Sequence, residues 1–206
     1  MSFRLAVLVS GEGSNLQAIL DTVHGQDDIE VACVGSSRGA ARGLERAREA
    51  GVEAEAFEIA AYADRSARDR ELADWVEAHD ADLVVLAGFM ELLGGEFIGR
   101  FEGRIVNVHP SLLPAFPGTR ALADAVEHGV RVTGVTVHFV DEGVDSGPII
   151  LQRAFELPYP RDIARVEREA HAIEHELLPR AIRLIARGAV RIDPDDPRNV
   201  LIDVDD

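Results

Sequence analysis

The chain contains no lysine: all 21 basic residues are arginines, set against 37 acidic residues for a formal net charge of −16. So negative a chain lacks the broad basic face that releases counterions from a phosphate backbone, which argues against a nucleic-acid partner while leaving room for a local basic pocket. Two causes produce an acid-rich, lysine-free composition: GC-rich coding with a solvated acidic surface, or adaptation to a salty cell interior. Cysteine is nearly absent as well. The single Cys33 sits in the apolar run IEVACVG, so neither a disulfide framework nor a cysteine zinc cluster can be built, and a reducing compartment suits the chain. No apolar run approaches the roughly 20 residues that span a bilayer. The N-terminus lacks the basic flank, long apolar core and cleavage site of a signal peptide. A cytoplasmic location and no membrane partner are therefore expected.

The 206 residues, 47% of them hydrophobic, suffice for one α/β domain of generous size with a core that needs no staples. Short apolar runs alternate with helical periodicity. FRLAVLVS, IEVACVGSS, VEAEAFEI, ADLVVLAGF and RIVNVHP predict strands, with helices over 14–25, 40–50 and 64–80 between the first four. Such continuous apolar strands belong to a parallel sheet covered on both faces. The link from the fourth strand to the fifth, around Gly94 to Phe101, is short. Beyond Pro110 come a loop, SLLPAFPGT, a helical stretch, ALADAVEHG, and two strand-like segments, VTGVTVHFV and PIILQRAFEL, joined by DEGVDSG. A long amphipathic helix is predicted from about Arg161 to Arg187. The last residues, DPDDPRNVLIDVDD, are acidic and broken by proline, and the sequence leaves their order open. The organisation predicted is a single domain over 1–192 and an acidic tail over 193–206, without internal repeats.

The first strand runs straight into SGEGSNLQAIL, Ser10 to Leu20. A dinucleotide fingerprint would need a third glycine where Leu16 stands, and the ending of a P-loop is missing, so neither NAD nor ATP is favoured. What remains is a turn whose backbone N–H groups, with Ser14 and Asn15, crown a helix N-terminus and can receive one phosphomonoester. A plain tight turn with Ser14 or Asn15 as helix cap is the alternative.

A second constellation is RIVNVHPSLLPAFPG, residues 104 to 118. Strand alternation puts Asn107 and His109 on one face, and Pro110 takes the chain out of the ladder at the carboxyl edge, where parallel sheets place their sites. A histidine alone is more often structural than catalytic. Downstream, however, Asp145 stands in the loop DEGVDSG, where Gly143 and Gly147 permit unusual backbone angles. An aspartate near His109 would orient the imidazole. Asn107, His109 and Asp145 then form a chemically complete set: donor to an oxyanion, proton carrier and orienter.

Taken in order and spacing, SGEGSNLQAIL, LAGFMELL, IVNVHPSLLPAFPG, GVTVHFVDEGVDSGPIILQ and AIEHELLP closely resemble the phosphoribosylglycinamide formyltransferases, folate-dependent members of the formyltransferase superfamily, over about residues 3 to 192. The resemblance implies an α/β formyltransferase fold, a Rossmann-like and mostly parallel sheet flanked by helices, with antiparallel C-terminal strands. It implies transfer of the formyl group of 10-formyltetrahydrofolate, the cosubstrate, to the amine of 5-phosphoribosylglycinamide in purine biosynthesis, with no metal. Asn107, His109 and Asp145 match the family's catalytic asparagine, histidine and aspartate. Gly11, Glu12, Gly13, Ser14 and Asn15 match the loop that holds the ribonucleotide phosphate, and Glu174 the carboxylate that meets the glycinamide end. Arg65, the segment Met90, Glu91, Leu92 and Leu93, and the segment Val140, Asp141, Glu142, Gly143 and Val144 match the folate pocket. The implied partners are the two small-molecule substrates, with the chain a monomer or homodimer. Two departures stand out: Glu91 occupies a position where the family often carries arginine, and Thr119-Arg120 replaces a segment that frequently contains histidine. Two rivals within the superfamily are disfavoured. Formyltetrahydrofolate hydrolases place a regulatory domain ahead of the first strand, and methionyl-tRNA formyltransferases add a C-terminal domain and need a basic surface, whereas one acidic domain is expected here.

Overall fold

The structure is a computed structural model that describes residues 2–160 and 162–203; the predicted helix start at Arg161 and the last three residues of the tail lie outside them. The chain divides into two compact units, Met1–Val106 and Asn107–Asp206. A seven-stranded, mostly parallel sheet with strand order β3-β2-β1-β4-β5-β6-β7 carries the fold.

The first unit contains β1 (Phe3–Val9), α1 (Ser14–Thr22), β2 (Ile29–Ser36), α2 (Arg42–Glu49), β3 (Glu53–Ala56), α3 (Arg65–Ala78), β4 (Leu83–Leu86) and α4 (Gly95–Arg100). The apolar runs behave as their composition demands: Leu5 through Val9 are wholly buried, and Leu16, Ile19, Leu44, Ala47, Leu72 and Val76 supply the helical faces packed against the sheet. β1 pairs in parallel with β2 and β4, and β2 with β3. The chain thus moves outward from β1 to β3 and returns past β1 to form β4. The turns after β1 and β4 therefore open side by side at the carboxyl edge of a topological switch point, the place where sheets of this kind bind ligands. Cys33 lies on β2 within this core, and burial, with Glu53 adding to it, pushes its thiol up to about 12. The short link before β5 holds a six-residue helix, α4, which periodicity did not predict; Phe97 and Ile98 fasten it.

The remaining elements are β5 (Ile105–His109), α5 (Ala121–His128), β6 (Val132–Phe139), β7 (Ile149–Glu156), α6 (Ile163–Ala186), β8 (Val190–Ile192) and β9 (Val200–Ile202). β6 and β7 are antiparallel, as the short loop between them requires, and α6 packs across both of them and against α5. The Asp162 side chain caps α6 by accepting from the Ala164 and Arg165 amides at 3.1 and 3.4 Å. The acidic stretch from 193 is ordered through Asp203, because Val200–Ile202 pairs antiparallel with Val190–Ile192 and the Asp203 amide donates to the Ala189 carbonyl at 2.8 Å. Three consecutive apolar residues in the midst of carboxylates are enough to close that hairpin.

Candidate active site

At the carboxyl end of β1 the chain turns through Gly11, Glu12 and Gly13 into α1. Gly13 is itself the helix N-cap, in the left-handed region at φ 73°, and as a glycine it supplies no side-chain cap. Ser14 and Asn15 are therefore not the caps that a plain tight turn would use. A Cβ on Gly13 would lie 2.7 Å from Gly43 Cα, so two glycines let the turn rest on the start of α2, and the Gly43 amide donates to the Gly11 carbonyl at 3.1 Å. Close packing that a dinucleotide fold obtains from its third glycine is obtained here from Gly43. Arg46 then clasps the turn from α2: its Nε donates to the Glu12 carbonyl at 2.9 Å, Nη2 to the Glu12 carboxylate at 2.7 Å and Nη1 to Gln17 Oε1 at 2.9 Å. Arg42 reaches the same carboxylate at 3.1 Å. Two guanidinium groups thus face one carboxylate at the N-terminus of α1, where backbone N–H groups and the helix dipole already favour an anion.

Gly11 is the cleaner position for testing this turn, because a Cβ there meets nothing within 4 Å. Gly11→Val is expected to raise the KM of a phosphorylated substrate by about tenfold or more, with the melting temperature little changed. An unchanged KM would remove the turn from phosphate binding. Gly13→Val is a poorer probe, since it would push α2 away.

At the adjacent end of β4, the segment 89–94 has no regular structure. The Met90 amide donates to Ser10 Oγ at 2.8 Å, and Ser10 Oγ lies 2.6 Å from Ser37 Oγ. Met90 and Leu92 are 57% and 58% exposed, an apolar pair that nothing in the first unit covers among the described residues. Glu91 turns instead to Arg68 at 2.6 Å. Arg65 is exposed in the first turn of α3.

In the second unit one carboxylate gathers the residues singled out above. His109 is buried, its Nδ1 3.4 Å from Asp145 Oδ2 and its Nε2 2.9 Å from the Phe116 carbonyl. Both ring nitrogens thus face oxygens that accept. Asn107 Nδ2 lies 3.4 Å from Asp145 Oδ1 and 3.3 Å from His138 Nε2, and the Gly118 amide donates to Asp145 Oδ2 at 2.7 Å. β5 supplies Asn107 and His109 two residues apart, and the β6–β7 loop brings Asp145 to both. The unusual backbone angle, however, is carried by Asp145 itself, at φ 52°. The flanking glycines serve by lacking bulk: a Cβ on Gly147 would lie 1.9 Å from the Phe139 carbonyl oxygen, and one on Gly143 2.0 Å from Ser146 Oγ.

His138 was not anticipated from the sequence. It is 2% exposed, and its Nδ1 donates to the Phe139 carbonyl at 2.7 Å, leaving Nε2 to accept from Asn107. A histidine at the carboxyl end of a strand, just before the loop that carries Asp145, was the available signal. Burial holds its pKa below the ordinary 6.5, although the Phe139 carbonyl opposes the shift. The unfolded chain therefore takes up this proton first, and stability falls as pH drops below about 6.5 toward the folded value. Replacing His138 with Gln is expected to flatten the acid side of the melting temperature against pH; an identical slope in both proteins would show that another group causes it.

Of the other residues, Val140 to Val144 form the start of the same β6–β7 loop, with Asp141 Oδ1 accepting from the Gly143 amide at 3.1 Å and from Ser146 Oγ at 2.7 Å. Glu174 is buried on α6, and His171 Nδ1 lies 3.0 Å from its Oε2. That hydrogen bond lifts the His171 pKa above its ordinary value. Among the described residues no group of three or more histidine, cysteine or acidic side chains is placed to hold a metal, and no helix is long and apolar enough to cross a membrane.

Comparison with known proteins adds a lineage to this geometry. A crystal structure of glycinamide ribonucleotide transformylase 1 from Symbiobacterium toebii superposes with a TM-score of 0.93 at 50% identity, covering 98% of this chain and 94% of that one. The phosphoribosylglycinamide formyltransferase of Bacillus subtilis is 38% identical over 181 residues, 87% of this chain and 93% of that protein. The trifunctional purine biosynthetic protein adenosine-3 of Bos taurus is 40% identical over 190 residues, 92% of this chain but only 19% of the relative, so the chain spans about a fifth of that protein's length. The sequence pattern of the formyl transferase family matches residues 3–182, and the chain belongs to that family.

Proposed function

We propose that the chain is a phosphoribosylglycinamide formyltransferase, moving the formyl group of 10-formyltetrahydrofolate to the amine of 5-phosphoribosylglycinamide in de novo purine biosynthesis, in the cytoplasm and as a monomer or homodimer. The observation that carries this reading is the convergence of Asn107 and His109 on the Asp145 carboxylate. It also takes residues 1–192 as the formyltransferase domain.

The folate supplies an activated formyl group. A C–N bond forms between the amine and the formyl carbon, the bond to folate N10 breaks, the amine loses a proton and N10 gains one. The chain's own residues divide the remaining work. Asn107 and His109 donate to the formyl oxygen as negative charge develops on it, and Asp145 keeps both in place and assists the proton's passage through water. Gly11, Glu12, Gly13, Ser14 and Asn15 hold the ribonucleotide phosphate, with Arg42 and Arg46 behind them. Glu174 meets the glycinamide end. Arg65, the segment from Met90 to Leu93 and the segment from Val140 to Val144 hold the folate. The exposed Met90 and Leu92 fit the apolar faces of an aromatic heterocycle.

Loss of the formyl folate, followed with and without glycinamide ribonucleotide, tests the reading. Consumption that requires the ribonucleotide and yields its formylated product is expected. Consumption without it would indicate a hydrolase.

A further inference from the structure

Among the described residues, the largest fully buried side chain belongs to an arginine. Arg68 projects from α3 on the face it shares with Leu72 and Val76, a place that helices ordinarily give to apolar residues, and is 0% exposed. Its Nε donates to Asp69 Oδ1 at 2.7 Å and its Nη1 to Glu91 Oε2 at 2.6 Å, while the guanidinium lies 5.7 Å from the centroid of the Phe89 ring. Asp69, buried beside it, uses its second oxygen to accept from the Gly94 amide at 2.8 Å. Arg68 Nη2 has no hydrogen-bond partner among the described residues. Burying a guanidinium is costly unless it is paired, and even a well-paired buried ion seldom improves on an apolar replacement in stability alone. What this pair accomplishes is geometric. Between them Arg68 and Asp69 grip residues 89, 91 and 94, both ends and the middle of a segment with no ladder or helix to fix its shape. With the amide of residue 90 held by Ser10, the apolar side chains of Met90 and Leu92 are left facing out.

We propose that Arg68 is a positioning residue for folate: paired with Asp69, it locks the 89–94 segment in the form that receives the cosubstrate, with Glu91 as tether and not as ligand. The inference rests on the folate-binding reading of that segment. It also gives Glu91 a role, since a carboxylate there is the partner a buried guanidinium requires.

The test compares Arg68→Met, Arg68→Lys and Glu91→Gln with the native protein, using steady-state kinetics with both substrates and calorimetric titration with tetrahydrofolate. Arg68→Met is expected to raise the folate KM and the tetrahydrofolate Kd by about tenfold, with the ribonucleotide KM and the kcat at saturation changed less than about twofold. Arg68→Lys keeps the charge but loses the fork, and should recover about half of that loss on a logarithmic scale. Glu91→Gln, at a partly exposed position, should raise both folate constants about threefold to fivefold and decides the matter if Arg68→Met does not fold. Unchanged folate constants in Glu91→Gln would overturn the proposal. So would an equal rise in both KM values, which would make Arg68 merely structural. A native protein that binds no tetrahydrofolate would overturn the folate reading itself, a result separable from either of these.

Discussion

Asn107→Ala is expected to lower kcat by about a hundredfold to a thousandfold, the usual effect of losing one oxyanion donor, while both KM values stay within about threefold. The expectation follows from how the amide is held. Its nitrogen lies 3.3 Å from His138 Nε2 and 3.4 Å from Asp145 Oδ1, both longer than a good N–H···O hydrogen bond. Two long contacts orient the group without satisfying it, so a developing oxyanion offers a stronger partner than either neighbour. Neither the turn at Gly11 nor the 89–94 segment depends on Asn107, which is why substrate binding should survive. Kinetics with both substrates varied will check this, and a kcat within tenfold of the native value would exclude Asn107 as the principal oxyanion donor.

Asp145→Asn is expected to lower kcat by about a hundredfold or more, within the range attributed to a positioned acid–base group, with the melting temperature moved by only a few degrees. Asparagine suits the site unusually well. It tolerates the left-handed backbone that Asp145 adopts at φ 52°, and it retains an oxygen for the Gly118 amide now held at 2.7 Å. What disappears is the negative charge facing His109 Nδ1 at 3.4 Å. Asp145→Ala would confuse the issue by adding backbone strain to the loss of charge. Should the Asp145→Asn protein turn over at near-native kcat, the residue only shapes the loop between Gly143 and Gly147.

Much of this could be read from the sequence, for identifiable reasons. A strand such as FRLAVLV has one stable destination, a sheet covered on both faces, and the helices between the first four strands start and stop within a few residues of where periodicity puts them. Asn107 and His109 were legible because residues two apart on a strand share a face, and Asp145 because glycine flanks it. His138 was not legible, since a single polar residue in an apolar strand leaves no trace of whether it is an acceptor, a ligand or packing. Arg68 was not legible for a different reason: its spacing from Leu72 and Val76 puts it on the buried face of α3, but nothing local shows that Glu91, 23 residues on, supplies the carboxylate that makes burial of its charge possible. Gly13 and Gly43 lie far apart in sequence, so their close approach carries no local signal. The hairpin of β8 and β9 escaped because its apolar residues are three among many carboxylates.

The thiol of Cys33, the protein's one sulfhydryl, is completely buried on β2 and pushed up to about 12. Alkylating reagents attack thiolate that solvent can reach, and the native fold supplies neither the ionised form nor the access. Labelling of Cys33 therefore has to wait for β2 to be exposed. The natural chain thus carries its own clock for breathing of the first unit: the labelling rate, compared with that of an unstructured thiol, measures how often the parallel sheet around β1 opens, with no probe added and no residue changed.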